Sequence, residues 1–235
     1  MKTIGIIGGM GPEASGDLFF KILRETDAAC DQAHIPILLD SNTRIPDRTA
    51  AILSGGADPR PELIRSAKRL EQAGAEVLVM SCNTAHYFYE DIIKEISVPF
   101  LHMPRLTAEA VKEQGMKKVA LLATSGTVNS GVYHRAFEMQ APETELLLPD
   151  EGGQRAVMDL IYEGIKKGRE DHPLEGLYAA MEGLKARGAE VFILGCTELP
   201  LAFQKAKIQV PTVDPTLVLA RSAVLAAGGR LKSFR

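Results

Sequence analysis

The chain has 235 residues, 46% hydrophobic and 24% charged, with a net charge of -3. That composition suits a globular protein of one large domain or two small ones, and it gives no electrostatic case for nucleic acid or an anionic membrane. Three cysteines, none in CxxC spacing, argue against a disulfide framework, and five scattered histidines form no zinc-ligand pattern, so neither a metal nor a cofactor is expected.

The chain begins in a short apolar run, residues 3–7, that reads as a buried strand. Gly8 and Gly9 end it too soon for a signal peptide or a membrane span. The expectation is a soluble, cytoplasmic protein. Pro12 suits the first position of a helix that carries Ala14, Leu18, Ile22 and Leu23 on one face. Residues 35–39 read as the second strand. A helix over about 61–72 then stops at Gly74, and residues 75–80 form a third strand. Further short Ile-, Val- and Leu-rich strands are expected at 100–102, 119–123, 189–194 and 208–213, and a last helix at about 216–227. Strands alternating with helices predict parallel sheets covered on both faces.

The chain also repeats itself. Leu70, Gly74, Ala75, Glu76, Val77 and Cys82 recur 114 residues later as Leu184, Gly188, Ala189, Glu190, Val191 and Cys196. Val98-Pro99 recurs as Val210-Pro211 at an offset of 112, and the run from Ile4 to Gly11 resembles that from Val119 to Gly126 at 115. Three blocks in order at nearly constant offset indicate a duplication. The predicted fold is α/β, with two pseudo-symmetric, doubly wound half-domains of parallel sheet. The first spans 1–103, the second 104–213, and a C-terminal helix in 214–235 packs back on the first. The active-site cleft lies between the lobes.

Cys82 and Cys196 then fall at equivalent strand ends, where open α/β sheets bind ligands. A pseudo-twofold sets them facing across the cleft, and an adjacent helix N-terminus can lower a thiol pKa. Two facing thiols without a cofactor suit inversion of a stereocentre, one removing a proton and the other delivering one to the opposite face. Asn83, Thr84 and nearby backbone N–H groups can hold a substrate carboxylate and the charge developing on it. Cys30, at the end of a helical pattern and without a partner, reads as a buried structural cysteine. His86, four residues after Cys82, either faces it or packs on the helix surface.

Several motifs resemble the cofactor-independent aspartate/glutamate racemase superfamily, and its aspartate racemase branch most closely. They are GIIGGMGPEA at 5–14, NTRIPDRTA at 42–50, CNTAH at 82–86, LLATSGT at 121–127, IYEGIKKG at 161–168 and GCTELP at 195–200. The resemblance implies racemisation of an acidic amino acid in a homodimeric enzyme, with Cys82 and Cys196 as the catalytic pair. It implies substrate binding by Met10, by the loop Asp47, Arg48 and Thr49, by Asn83, Thr84 and Ala85, and by Thr124 and Thr127. Lys166 is implied as a second cation beside Arg48 for the side-chain carboxylate, and Thr197, after the second cysteine, as a further substrate-binding residue. Glu198 stands where the glutamate racemase branch has histidine, which favours aspartate. Other readings stay open: a glutamate or broader racemase, a hydantoin racemase, maleate isomerase or decarboxylase of the same superfamily, or a non-catalytic sensor of acidic amino acids. A dinucleotide-binding turn is disfavoured, because Gly5 to Gly11 lacks GxGxxG spacing and no acidic residue ends a strand about 20 residues on.

Overall fold

The computed structural model describes residues 1–169 and 171–233. It contains two parallel sheets. Strands β1 (Ile4–Gly8), β2 (Ile37–Ser41) and β3 (Val77–Met80) form the first in the order β2-β1-β3. Strands β4 (Lys118–Leu122), β5 (Glu145–Leu147), β6 (Val191–Leu194) and β7 (Thr212–Val213) form the second in the order β5-β4-β6-β7. In each sheet the first strand in the chain is central and its successor lies on one side, the arrangement of a doubly wound fold.

The pairing registers carry the repeat into three dimensions. Ile4 to Ile7 pair with Val77 to Met80, and Val119 to Leu122 pair with Val191 to Leu194. The recurring residues have identifiable physical tasks. Gly74 and Gly188 adopt φ of +99° and +96°, the left-handed conformation that ends a helix. The next residue in each case, Ala75 or Ala189, donates back to Leu70 O or Leu184 O at 2.9 and 3.1 Å. Glu76 and Glu190 then accept from the backbone N–H groups that enter the central strands, at Thr3 (2.9 Å) and Lys118 (2.8 Å). Val-Pro recurs because Leu78 N–H donates to Pro99 O and Phe192 N–H to Pro211 O.

Alternate strand residues feed apolar clusters on opposite faces of each sheet, the period-two pattern of a buried strand. Ile4, Ile6, Val77 and Val79 pack with Leu18 and Ile22, and Leu78 and Met80 pack with Leu63 and Leu70 on the other side. The final helix, Pro215–Ala226, brings Leu219, Ala220, Ala223 and Val224 into the first of these clusters. Its bounds lie within a residue of the expected 216–227, and residues 234–235 of the C-terminal segment lie outside the described residues.

Other elements differ from expectation. Residue 100 makes a single parallel bridge to Leu78 instead of a strand, and only Thr212–Val213 of 208–213 is extended and paired. The three-residue β5 carries too little alternation to be read from sequence. Cys30 lies in an exposed bend, because its helix ends at Glu25. Among the described residues no helix is long and apolar enough to cross a membrane.

The glycine turn after β1 makes a sharp stability prediction. Gly9 has φ of +89° and its missing Cβ would sit 2.4 Å from the backbone of Asn42, whereas Gly55, at +65°, has open space. Gly55→Ala should cost about 1–2 kcal/mol, the strain of a left-handed residue alone. Gly9→Ala should cost clearly more in the same urea titration, because backbone must move as well.

Candidate active site

Cys82 and Cys196 each lie two residues beyond the end of a strand, β3 and β6. The preceding residues are held alike: Ser81 N–H donates to Ile7 O at 3.1 Å and Gly195 N–H to Leu122 O at 2.8 Å. Both cysteines line one small cleft, and both are buried, 5% and 7% exposed. Met10, Asp47, Arg48, Thr49, Asn83, Thr84, Thr124, Lys166 and Thr197 share its wall. Of the residues singled out in the sequence, Ala85 and Thr127 do not. Ala85 is fully buried in the apolar cluster behind Cys82. Thr127 stands behind the wall, where its hydroxyl meets Thr84 Oγ1 at 2.7 Å and Thr124 Oγ1 at 3.1 Å.

Arg48 occupies the first turn of the short helix Arg48–Leu53, capped by Asp47 Oδ1 accepting from Ala50 N–H at 2.8 Å. Its guanidinium is not solvated. It donates to Ile45 O, Pro46 O and Met10 O at 3.4, 3.0 and 3.2 Å, while its buried Nε has no partner among the described residues. Burial opposes the charge, but the Cys82 sulfur and the Asp47 carboxylate together hold the pKa above the ordinary guanidinium value. Asn83 is similar. Its Oδ1 accepts from the buried Tyr133 hydroxyl at 2.7 Å, and its buried Nδ2 has no partner among the described residues. Such unpaired buried donors are costly, and a ligand in the cleft is a natural acceptor.

Another part of the wall comes from an irregular segment, a π-helical turn Leu160–Gly164 followed by a tight 3₁₀ turn Ile165–Lys167. Lys166 Nζ lies 4.2 Å above the Tyr162 ring and 3.9 Å from Asp47 Oδ2. Tyr162 donates to the same Asp47 oxygen at 3.1 Å. Burial acts against the Asp47 carboxylate, yet the Ala50 N–H, Lys166, Arg48 and Tyr162 outweigh it and keep the pKa low. Tyr162 and Gly195 also line the cleft and were given no role in the sequence reading, and Glu198, read there only as a mark of the aspartate branch, lines it too. Tyr162 carried a usable signal, its spacing four residues before Lys166.

The second cysteine departs from the expectation of a lowered pKa. Burial and the adjacent Glu198 carboxylate push the Cys196 thiol well above its ordinary value. His86 is resolved too. Met103 N–H donates to Nε2 at 3.2 Å, so Nδ1 carries the proton and donates to Cys82 O at 2.8 Å. It therefore holds the backbone of Cys82, not the thiol.

Comparison with known proteins places the chain. The Asp/Glu/Hydantoin racemase family model matches residues 7–223, and the chain belongs to that family. Aspartate racemase of Picrophilus torridus superposes with a TM-score of 0.86 at 32% identity, over 99% of this chain and 96% of that one. The broad specificity amino-acid racemase RacX of Bacillus subtilis is 25% identical over 94% of this chain and 96% of its own. Glutamate racemase of Corynebacterium glutamicum is 32% identical over 62% of this chain and 52% of its own. The protein is an amino-acid racemase, an isomerase.

Burial lowers the pKa of His86 from 6.5 to about 4. The unfolded chain binds this proton below pH 6.5 and the folded one only near 4, so the stability tied to neutral His86 is full above 6.5 and is lost as pH falls toward 4. The loss should approach roughly 3 kcal/mol. Burial lowers the nearby His102 as well, so it adds to the slope. Urea titrations from pH 7 to 4.5 should show the decline, and His86→Gln should flatten part of it.

Proposed function

We propose that this racemase interconverts L- and D-aspartate without a cofactor, with Cys82 and Cys196 exchanging the roles of base and acid. The observation that carries the reading is the pairing of two buried thiols on one small cleft with a guanidinium fixed beside the first.

Removing the α-hydrogen of an amino acid as a proton leaves a charge that spreads onto the α-carboxylate. Asn83 Nδ2 and the Thr84 hydroxyl are suited to meet that carboxylate, and such donors act most strongly in a site closed to water. Arg48, its position set by three backbone carbonyls and its Nε open, is suited to the side-chain carboxylate, with Lys166 as a second, point-like cation. Inversion requires the thiols on opposite faces of the α-carbon. The equivalent strand ends that carry them support this. Similarity to the Picrophilus torridus aspartate racemase over nearly the whole chain favours aspartate among acidic substrates. Similarity to the Bacillus subtilis broad specificity racemase makes a wider substrate range the second reading. The lobes 1–103 and 104–213, and a homodimer measurable by light scattering, belong to the same proposal.

A chiral assay of aspartate, glutamate and alanine with no added cofactor tests it. Aspartate should give the highest kcat/KM. Cys82→Ala and Cys196→Ala should each lower racemisation at least ~10²–10⁴-fold. Arg48→Ala should cost aspartate about ten- to a hundredfold, the loss of a charge-assisted hydrogen bond, and alanine much less. Preference for alanine, or equal loss for both substrates, refutes the acidic substrate. Near-normal turnover in either cysteine variant refutes the two-base scheme. Solvent deuterium appearing at the α-carbon separates a catalyst from a sensor.

A further inference from the structure

The two thiols occupy equivalent places but have unlike neighbours. Glu198, two residues after Cys196, is only 6% exposed. Its Oε2 accepts from Cys196 Sγ at 2.9 Å and from Thr197 Oγ1 at 3.3 Å. Its Oε1 accepts from Gly11 N–H at 3.2 Å. Gly11 belongs to the glycine turn after β1, so a single carboxylate ties the second thiol to the first half of the chain. The residue two after Cys82 is Thr84, whose hydroxyl turns instead to Thr124 and Thr127.

A sulfur that donates to a carboxylate carries its proton. Under the two-cysteine reading, Cys196 must lose that proton whenever it is the base. The bond to Glu198 already defines where it can go, with no change in net charge. Lys166 is a cation whose field reaches both Glu198 and Cys196, while Arg48 stands beside Cys82.

We propose that Glu198 is the positioning residue of Cys196, fixing the thiol as a proton donor and taking up its proton when Cys196 acts as base. This rests on the two-cysteine reading. In the base direction, the Cys196 S–H bond breaks and a Glu198 O–H bond forms, moving the negative charge to sulfur. The thiolate then takes the α-hydrogen as a proton. The electron pair of the broken C–H bond remains on the substrate. Cys82 S–H delivers its proton to the opposite face and becomes a thiolate, which regains a proton from Glu198 or water. In the reverse direction the same states run backwards: Cys82 thiolate is the base while Glu198 holds a proton, Cys196 S–H is the donor, and the resulting Cys196 thiolate takes its proton back from Glu198.

Glu198→Gln tests this, because it keeps the size and an acceptor for Gly11 N–H but removes the charge. In a Cys30→Ala/Cys82→Ala background, thiolate ultraviolet absorbance against pH reads Cys196 alone. The Gln substitution should lower the Cys196 midpoint by about one unit or more. In the protein with all three cysteines it should lower racemisation about 10²-fold. Racemisation has an equilibrium constant of one, so kcat/KM must fall equally in both directions. The fall in kcat should be larger for the enantiomer that Cys196 deprotonates. Glu198→Asp keeps the charge and should hold the midpoint nearer that of the unsubstituted chain, which provides a second variant if the first folds poorly. A merely structural residue would lower activity without making the thiol more acidic. An unmoved midpoint, or full activity in the Gln variant, overturns the role of Glu198 alone. An unsubstituted chain that racemises no amino acid overturns the two-cysteine reading and this role with it.

Discussion

The organisation of the site depends on where a parallel strand lets go of its neighbour. Ser81 and Gly195 make the last backbone hydrogen bonds to the central strands, at Ile7 O and Leu122 O. The next residue in each case is the cysteine, released from the sheet yet still fixed by the bond behind it. Each thiol is therefore held by a rigid strand and still presented at a sheet edge where a ligand can reach it. His86 strengthens the arrangement on one side by donating to the Cys82 carbonyl.

Backbone symmetry does not extend to the polar groups. Arg48 reaches Cys82 from the start of the short helix after β2, and Glu198 reaches Cys196 from the segment after β6. A cation beside one sulfur and a carboxylate beside the other make the thiols inequivalent before any substrate arrives. For a reaction whose two directions have equal free energy, that asymmetry cannot favour one product. It can only decide how the proton is stored between turnovers and which step limits each direction.

The repeat was legible because its recurring residues meet backbone demands. Gly74 and Gly188 supply a positive φ, and Glu76 and Glu190 accept from the N–H groups that enter the central strands. A change at any of these positions leaves an identifiable backbone need unmet, so the pattern persists in the letters. The wall around Cys82 was legible for a related reason, since Asp47, Arg48, Asn83 and Thr84 come in short contiguous motifs. Tyr162 and Glu198 were harder to read. Their partners, Asp47 and Gly11, lie 115 and 187 residues away, and only the folded chain brings them together. Cys30 was misread because a cysteine after an apolar helix looks buried when the helix end is placed too late. The segment around β5 was missed because three residues show no periodicity.

The charges around the cleft also bear on the substrate. Arg48 and Lys166 are formally balanced by Asp47 and Glu198, so the wall is neutral when both thiols are protonated. The balance is unevenly used. Glu198 is engaged at both oxygens, and Asp47 caps a helix with one oxygen while the other meets Tyr162. Among the described residues Lys166 meets Asp47 at 3.9 Å and the Tyr162 ring at 4.2 Å, and Arg48 donates to neutral carbonyls and leaves Nε open. Both cations thus retain attraction for a further carboxylate, whereas both carboxylates are already satisfied. A ligand with one carboxylate can use Asn83 or Arg48 but leaves the other donor buried and unpaired, a cost of about 1–3 kcal/mol. A ligand with two carboxylates at short separation relieves both, and this is the physical basis for preferring an acidic amino acid over a neutral one.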